Sequence, residues 1–153
     1  MSTQPFHIRF AIDGLTDAGT TTVIGMVDII NQLEKRGRSS RTPQIRLHLL
    51  PRTRDQWKLV LAHKIGVIIV VDSANPDAFP KVKSLMQAIR QTCDAPFIVL
   101  ANKQDHPDAL PVDVIRKHLD LGDHIPVLPC IAKKMSSVMG VMRHLGTWAT
   151  AQS

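Results

Sequence analysis

The chain has 153 residues, of which 44% are hydrophobic, so it can bury a core without disulfides or a structural metal. Its two cysteines, Cys93 and Cys130, show no metal-binding spacing and its seven histidines are scattered singly, which argues against a zinc centre or a disulfide scaffold. This length and composition predict one domain over residues 1–153. The sequence shows no signal peptide, lipidation motif or membrane-length apolar run, which predicts a cytoplasmic location without a membrane anchor.

Hydrophobic periodicity predicts that strands and helices alternate along the chain. In chain order the pattern predicts a strand over 6–12, a helix over 20–35, a strand over 45–50, a short helix over 55–63, a strand over 67–71, a helix over 79–91, a strand over 97–101, a helix over 112–119, a strand over 125–128 and a helix over 136–149. Short loops and right-handed crossovers between such elements give a doubly wound α/β fold.

The run GVIIVV at residues 66–71 is apolar at every position after its glycine. Such a strand is typical of the centre of a parallel sheet that is covered by helices on both faces. We therefore expect a mostly parallel sheet of five to six strands flanked by helices. Because these sheets bind ligands at the carboxyl ends of their strands, the polar residues that follow the strands are the candidate site.

The segment IDGLTDAGTT, residues 12–21, fits the phosphate-loop pattern G-x-x-x-x-G-K-[ST] at every fixed position except the lysine. Gly14 and Gly19 let the backbone wrap an anion, and the helix that follows adds its positive end. Thr20 stands at the lysine position, and Thr21 stands at the hydroxyl position that holds Mg²⁺. Taken alone, this pattern is better explained by an ordinary tight turn.

A second polar segment, ANKQDHPDAL at residues 101–110, follows the predicted strand over 97–101. Guanine presents its N1–H and 2-amino groups side by side, so one carboxylate can accept from both, and adenine offers no such pair. Asp105 is suited to that role. The alternative is that the Asn and Asp residues only cap a turn, because both residue types favour turns after strands.

These two segments together resemble the Ras-like small GTPases. Asn102-Lys103-Gln104-Asp105 matches the guanine-reading N-K-x-D of that superfamily, and Ile131-Ala132-Lys133 resembles its S-A-K loop with Ile in place of Ser. The stretch over residues 71–79 resembles the central strand and its turn. Among the branches, the chain most resembles the bacterial and archaeal proteins related to the gliding-motility GTPases, with a similarity to the Arf branch in residues 101–110.

The resemblance implies a G domain of the P-loop NTPase type that binds GDP or GTP. It implies that Asn102 joins the loops, that the stem of Lys103 covers the ring, and that the Ala132 amide donates to O6, with Lys133 on the other side. Mg²⁺ would be held by Thr21 if it is bound at all. The nucleotide-binding residues that it implies are Gly14, Asp17, Ala18, Gly19, Thr20, Thr21, Thr22, Asn102, Lys103, Asp105, Ile131, Ala132 and Lys133.

Several positions depart from the family pattern on the phosphate side. Where the family has D-x-x-G-Q, this chain has Arg52 for the metal-orienting Asp and Asp55 for the Gly, and only Gln56 stands at the water-positioning place. The segment before residue 45 is too short for a full first switch and the usual antiparallel edge strand, so shortened switch regions are expected. Two interpretations stay open: a nucleotide-binding regulator with little or no hydrolysis, and a nucleotide-independent pseudo-GTPase that acts as a scaffold or interaction module.

An unrelated doubly wound domain, such as a receiver with Asp72 as its acceptor, is a more distant alternative, because the paired acids expected beside that acceptor are missing.

Basic residues are concentrated over residues 35–64, which overlap the switch positions. Nearly half of the 19 lysines and arginines lie there, opposed only by Asp55: Lys35, Arg36, Arg38, Arg41, Arg46, Arg52, Arg54, Lys58 and Lys64. This stretch indicates either an ordinary solvated face or a contact surface for a regulatory partner, of the roadblock type by resemblance. Nucleic acid is not favoured, since no aromatic residues alternate with the cations. Trp57 is either a partner anchor or a residue that packs inward.

Overall fold

The computed structural model of the chain describes residues 7–35 and 44–152, which form strands and helices in alternation. In chain order they are β1 (His7–Gly14), α1 (Thr20–Lys35), β2 (Gln44–Leu49), α2 (Trp57–Leu61), β3 (Gly66–Asp72), α3 (Phe79–Arg90), β4 (Phe97–Asn102), α4 (Val112–His118), β5 (Val127–Pro129) and α5 (Met135–Gln152). One-turn 3₁₀ helices, Arg54–Gln56 and Pro76–Ala78, lead into α2 and α3.

The strands form one parallel sheet in the order β2-β1-β3-β4-β5. The predicted α/β class and the parallel sheet are therefore confirmed, with five strands in the part of the chain that the structure describes. No strand among these residues runs antiparallel. The segment before residue 45, where the antiparallel edge strand is expected to be lost, lies largely outside the described residues. Within the described residues, no helix is both long and apolar enough to cross a membrane.

The sheet separates two apolar cores. Ile8, Phe10 and Ile12 of β1 point to the side that α1 and α5 cover, whereas Ala11 points to the side of α2, α3 and α4. β3 is buried along its whole apolar run, as the sequence predicts for a central strand. Since burying a Val or Ile side chain fully stabilises a fold by about 1.5–3 kcal/mol, this strand fixes the frame from which the site loops emerge.

The short segment after β2 differs from its prediction. Instead of one helix over 55–63, a 3₁₀ turn leads into a helix of five residues, because Ala62 is extended and ends it. Trp57 is buried and donates from Nε1 to the Pro51 carbonyl at 2.6 Å, while the Arg54 guanidinium lies 5.5 Å from the centre of its ring. The interpretation of Trp57 as an inward-packing residue is therefore confirmed.

Candidate functional site

A cavity of about 390 Å³ opens at the carboxyl end of the sheet, beside β4 and β5. Its volume lies in the range of small-molecule sites. It brings together eight of the residues predicted to bind nucleotide, from three separate loops: Gly19, Thr22, Asn102, Lys103, Asp105, Ile131, Ala132 and Lys133.

Two further residues, His106 and Pro107, line the same cavity and were missed in the sequence. They directly follow Asp105, so extending the predicted loop by two residues would have found them.

Asn102, the last residue of β4, joins the loops of the site. Its side chain is 3% exposed, donates from Nδ2 to the Ala18 carbonyl at 2.9 Å, and accepts at Oδ1 from the Ala132 amide at 2.9 Å. The side chain therefore connects the loop after β1 to the loop after β5 across 84 and 30 residues of sequence. The Ala132 amide is also the group that the resemblance predicts to donate to guanine O6. A guanine O6 bound at this amide would therefore share its proton with Asn102 Oδ1.

Gly19 also depends on Asn102. Its φ of 102° lies in the region that favours glycine, and a Cβ at this position would stand 2.2 Å from Asn102 Nδ2. Any side chain there would displace the amide that joins the loops, so glycine is required at residue 19 for two independent reasons.

Asp105 stands at the rim of this cavity with an exposed side chain. Within residues 7–35 and 44–152 no side chain or amide donates to its carboxylate. The turn that carries it begins at Lys103, whose φ is 66°, and closes with a hydrogen bond from the His106 amide to the Lys103 carbonyl at 2.9 Å. The carboxylate is thus held at the opening without a protein donor, and it is free to accept hydrogen bonds from a ligand.

Lys103 is held by a residue that was not predicted to belong to the site. Its ammonium forms a salt bridge of 2.9 Å with Asp72 at the end of β3, and the other Asp72 oxygen accepts from the Ala74 amide. This pair fixes the lysine stem along the cavity. Gln104 donates to Ser73 Oγ and to the Leu110 carbonyl, which ties the loop after β4 to the loop after β3.

The loop after β1 keeps the spacing of a phosphate loop. A Cβ on Gly14 would stand 2.5 Å from Thr20 Oγ1 and 2.7 Å from the Val70 carbonyl oxygen, so only glycine fits. Asp17 is exposed with a φ of 69°, and the Ala18 amide donates to the Leu15 carbonyl. The first turn of α1 contains no acidic residue, so its amides meet no fixed negative charge from that turn.

Thr20 takes the lysine position but does not replace the lysine chemically. It is 8% exposed, and its buried Oγ1 has no hydrogen-bond partner within residues 7–35 and 44–152. A buried hydroxyl without a partner costs about 1–3 kcal/mol, so this position carries a polar group that the fold does not satisfy. Thr21 and Thr22 are exposed on the first turn of α1, and Thr22 faces the cavity described above.

Asp13 adds a negative group next to this loop. Burial raises the pKa of its carboxyl, and a hydrogen bond from the Gly14 amide at 2.8 Å lowers it by less. The carboxylate is therefore poorly solvated, which is unfavourable for a second anion placed nearby.

The second predicted switch contributes no group to this cavity. Arg52, Asp55 and Gln56 are all exposed, and none of them lines it. Of the basic stretch over 35–64, Arg36, Arg38 and Arg41 lie outside the described residues.

The chain is similar to known proteins in both sequence and fold. The sequence model of the ADP-ribosylation factor family matches residues 51–147. ADP-ribosylation factor-like protein 4C from Homo sapiens is 32% identical over 90 residues, which cover 57% of this chain and 47% of that protein, so the match spans about half the length of this relative. ADP-ribosylation factor-like protein 4A from Homo sapiens is 25% identical over 158 residues, covering 91% of this chain and 78% of that protein.

A solved structure has the same fold. The Arl6 BBS3 small GTPase from Trypanosoma brucei, with bound nucleotide analogue GppNp, superposes with a TM-score of 0.71 at 23% identity and covers 96% of this chain and 99% of its own. The five-stranded parallel sheet with its flanking helices is thus the sheet of a small-GTPase domain.

Proposed function

Because the chain belongs to the ADP-ribosylation factor family, we propose that it is a small guanine-nucleotide-binding regulatory protein with a weakened phosphate site and little or no GTP hydrolysis. The observation that carries this proposal is the Asp105 carboxylate, which stands at the rim of a cavity of about 390 Å³ and accepts from no donor in the described part of the chain. The solved small GTPase from Trypanosoma brucei holds a nucleotide analogue, which supports the same ligand class here.

The base half of the cavity has the donors and acceptors that guanine requires. Asp105 accepts from the neighbouring N1–H and 2-amino groups, which adenine cannot supply together. The stem of Lys103 covers one face of the ring and Lys133 flanks the other. Asn102 keeps the three loops together, so the pocket exists before the ligand arrives and little binding energy is lost in ordering it.

The phosphate half lacks the group that contributes most to affinity. Replacing the lysine by Thr20 removes charge-assisted hydrogen bonds of about 1.5–3 kcal/mol each. A carboxylate such as Asp13 or Asp17 at about 6 Å from a phosphate adds roughly 2–3 kcal/mol of repulsion at an effective dielectric near 20. At about 1.4 kcal/mol per tenfold, the sum weakens binding by roughly a thousandfold, from nanomolar to micromolar.

The side chains of this chain that would hold Mg²⁺ do not suit that ion. Thr21 offers one hydroxyl, and Arg52 stands where an acidic residue would orient the metal. We therefore assign no step to Mg²⁺. Gln56 is the only residue kept from the hydrolytic set, and a water-orienting glutamine without positioned cations gives at most a very slow GTPase.

The alternative is a nucleotide-independent pseudo-GTPase that serves as a scaffold or interaction module. One observation favours it: Asn102 and the Lys103–Asp72 pair connect the site loops entirely through protein groups. Site loops that are connected by such protein contacts need no ligand to keep their conformation. Three further predictions hold under either function: a single domain, a cytoplasmic location and a relationship to the gliding-motility GTPases. A regulatory partner of the roadblock type, bound at the basic stretch over 35–64, also stays a prediction.

Calorimetric titration of the full chain with GDP, GTP and ADP tests the proposal. We expect micromolar binding of GDP and GTP and at least tenfold weaker binding of ADP. Equal affinities for GDP and ADP would remove the role of Asp105 in base recognition. If none of the three nucleotides gives a binding heat, the result would favour the nucleotide-independent scaffold function.

A further inference from the structure

β2 forms one edge of the described sheet, and half of its backbone groups point away from β1. The Leu50 amide donates to the Ile12 carbonyl at 3.0 Å, and Ile12 is in register with Leu49. Backbone groups alternate in direction along a strand, so those of Ile45, Leu47 and Leu49 point outward. Asn31 of α1 supports this assignment, because its Nδ2 reaches the Ile45 carbonyl from that side at 2.9 Å.

The carboxyl half of β2 is accessible beyond that contact. Gln44 and Ile45 are buried, but Arg46, His48 and Leu49 are exposed, and Leu49 keeps 49% of its surface. The outward backbone groups of Leu47 and Leu49 therefore lie on the accessible part of the edge. An exposed edge of this kind is a template for a further strand.

The two faces of this edge differ in chemistry. Arg46 and His48 point to the side of α2, next to Arg9 of β1, whereas Leu47 and Leu49 point to the side of α1. Arg9, Arg46 and His48 are all exposed on the α2 side. Basic and apolar side chains thus alternate with the period of two that is specific to a strand.

The basic face holds its cations close together without acidic partners. The pKa of His48 is lowered, mainly by burial and further by the charges of Lys64, Arg9 and Arg46. Burial and Arg9 likewise lower the pKa of Lys64. Arg46 donates to two neutral acceptors, His7 Nδ1 and Gln44 Oε1, and within the described residues Arg9, Arg46 and Lys64 form no salt bridge. A negatively charged ligand would relieve this repulsion.

We propose that the edge formed by residues 46–49 binds an extended segment of a partner protein in which acidic and apolar residues alternate. The segment adds a strand to β2, so that its acidic side chains face Arg46, His48 and Arg9 and its apolar side chains face Leu47 and Leu49. A lipid surface or a nucleic acid would use the cations but not the backbone edge or the period of two. The proposal goes beyond nucleotide binding and does not depend on it.

Hydrogen exchange of the full chain, followed by NMR, tests the added strand. The probe is a synthetic peptide of eight residues in which Glu and Val alternate, and the control peptide has the same composition with its four Glu residues in one block. We expect the alternating peptide to slow the exchange of the Leu47 and Leu49 amides at least tenfold. The Arg46 and His48 amides, which point to β1, should change little. Equal protection by both peptides, or none at Leu47 and Leu49, would overturn the proposal.

Charge reversal tests the basic face. We expect Arg46→Glu to weaken binding of the alternating peptide at least tenfold, measured by fluorescence anisotropy. Lys81→Glu, an exposed residue of α3, carries the same charge change as the control and should leave the affinity within twofold. Equal weakening by both variants would refute the assigned face. Tighter binding to phosphatidylserine vesicles or to a single-stranded oligonucleotide than to the peptide would also overturn the proposal.

Discussion

The two halves of the proposed nucleotide site differ in how well their polar groups are satisfied. On the base side, both polar atoms of Asn102 are paired and Lys103 has a carboxylate partner, whereas the Asp105 carboxylate accepts from no donor among the described residues. On the phosphate side, the buried Thr20 Oγ1 has no partner in the described part of the chain, and the Asp13 carboxyl is partly desolvated. The described groups of the base side are thus largely paired with one another, whereas those of the phosphate side are not.

The largest effect is expected from removing the open carboxylate. Asp105→Asn replaces an acceptor of two charge-assisted hydrogen bonds by a group that presents a donor there, so GDP binding should weaken at least about a hundredfold. Calorimetry measures the loss. Asp108→Asn, an exposed residue of the same loop, is the matched control and should bind GDP like the parent. Similar losses in both variants would mean that the loop as a whole, and not Asp105, reads the base.

The loop connection on the base side should matter even without nucleotide. Asn102→Ala leaves the Ala18 carbonyl and the Ala132 amide unpaired, at a cost of about 1–3 kcal/mol each. At about 2–4 °C per kcal/mol for a chain of this length, the Tm should fall by several degrees in a ligand-free thermal melt. Asn75→Ala, at an exposed asparagine after β3, should keep the parent Tm. An unchanged Tm in Asn102→Ala would contradict the connecting role.

Restoring the missing cation should partly repair the phosphate side. Thr20→Lys removes the unsatisfied hydroxyl and returns a donor for phosphate, so GDP affinity should rise about ten- to a hundredfold in calorimetry. Gln32→Lys, on an exposed position of α1, adds the same charge away from the loop and is the control. Equal affinity in the parent and Thr20→Lys would show that the loop no longer accepts phosphate, which would favour the scaffold function.

The smallest effect is expected at Asp13. The pKa of Asp13 is higher in the folded state than its unfolded value of about 3.8, because burial disfavours the charged carboxylate. The contribution of Asp13 to stability is therefore complete below pH 3.8, and it is lost as the pH rises through the folded pKa. Asp13→Asn should therefore increase the free energy of unfolding at pH 7, and this gain should vanish below about pH 4. Urea unfolding at both pH values measures it. Asp28→Asn, exposed on α1, is the control, and a gain that persists at low pH would contradict this cause.

The fold was largely predictable because its signals are local. The helix predicted over 20–35 has those bounds in the structure, and each predicted strand is present within two residues at either end. The predicted helix over 55–63 was less accurate, since the contacts of Trp57 with Pro51 and Arg54 set the local geometry. A tertiary anchor of this kind leaves no periodic signal in the sequence.

The site was predictable only in part. Residue type and spacing identified Asn102, Lys103 and Asp105, but the partner of Lys103 is Asp72, which lies 31 residues earlier on a neighbouring strand. Nothing in the spacing of these two residues indicates that they meet. Parallel pairing in the sheet brings Asp72 into register with Asn102 and thereby creates the contact.

The sequence by itself determined the order of the elements, the apolar central strand and the acceptor suited to guanine, because these depend on residue type and short-range periodicity. Only the tertiary structure decided which loops share Asn102. It also decided that, among the described residues, the buried Thr20 hydroxyl has no partner and the carboxyl half of β2 is an exposed sheet edge. These features depend on strand order and on the packing of residues distant in sequence, which no local pattern encodes.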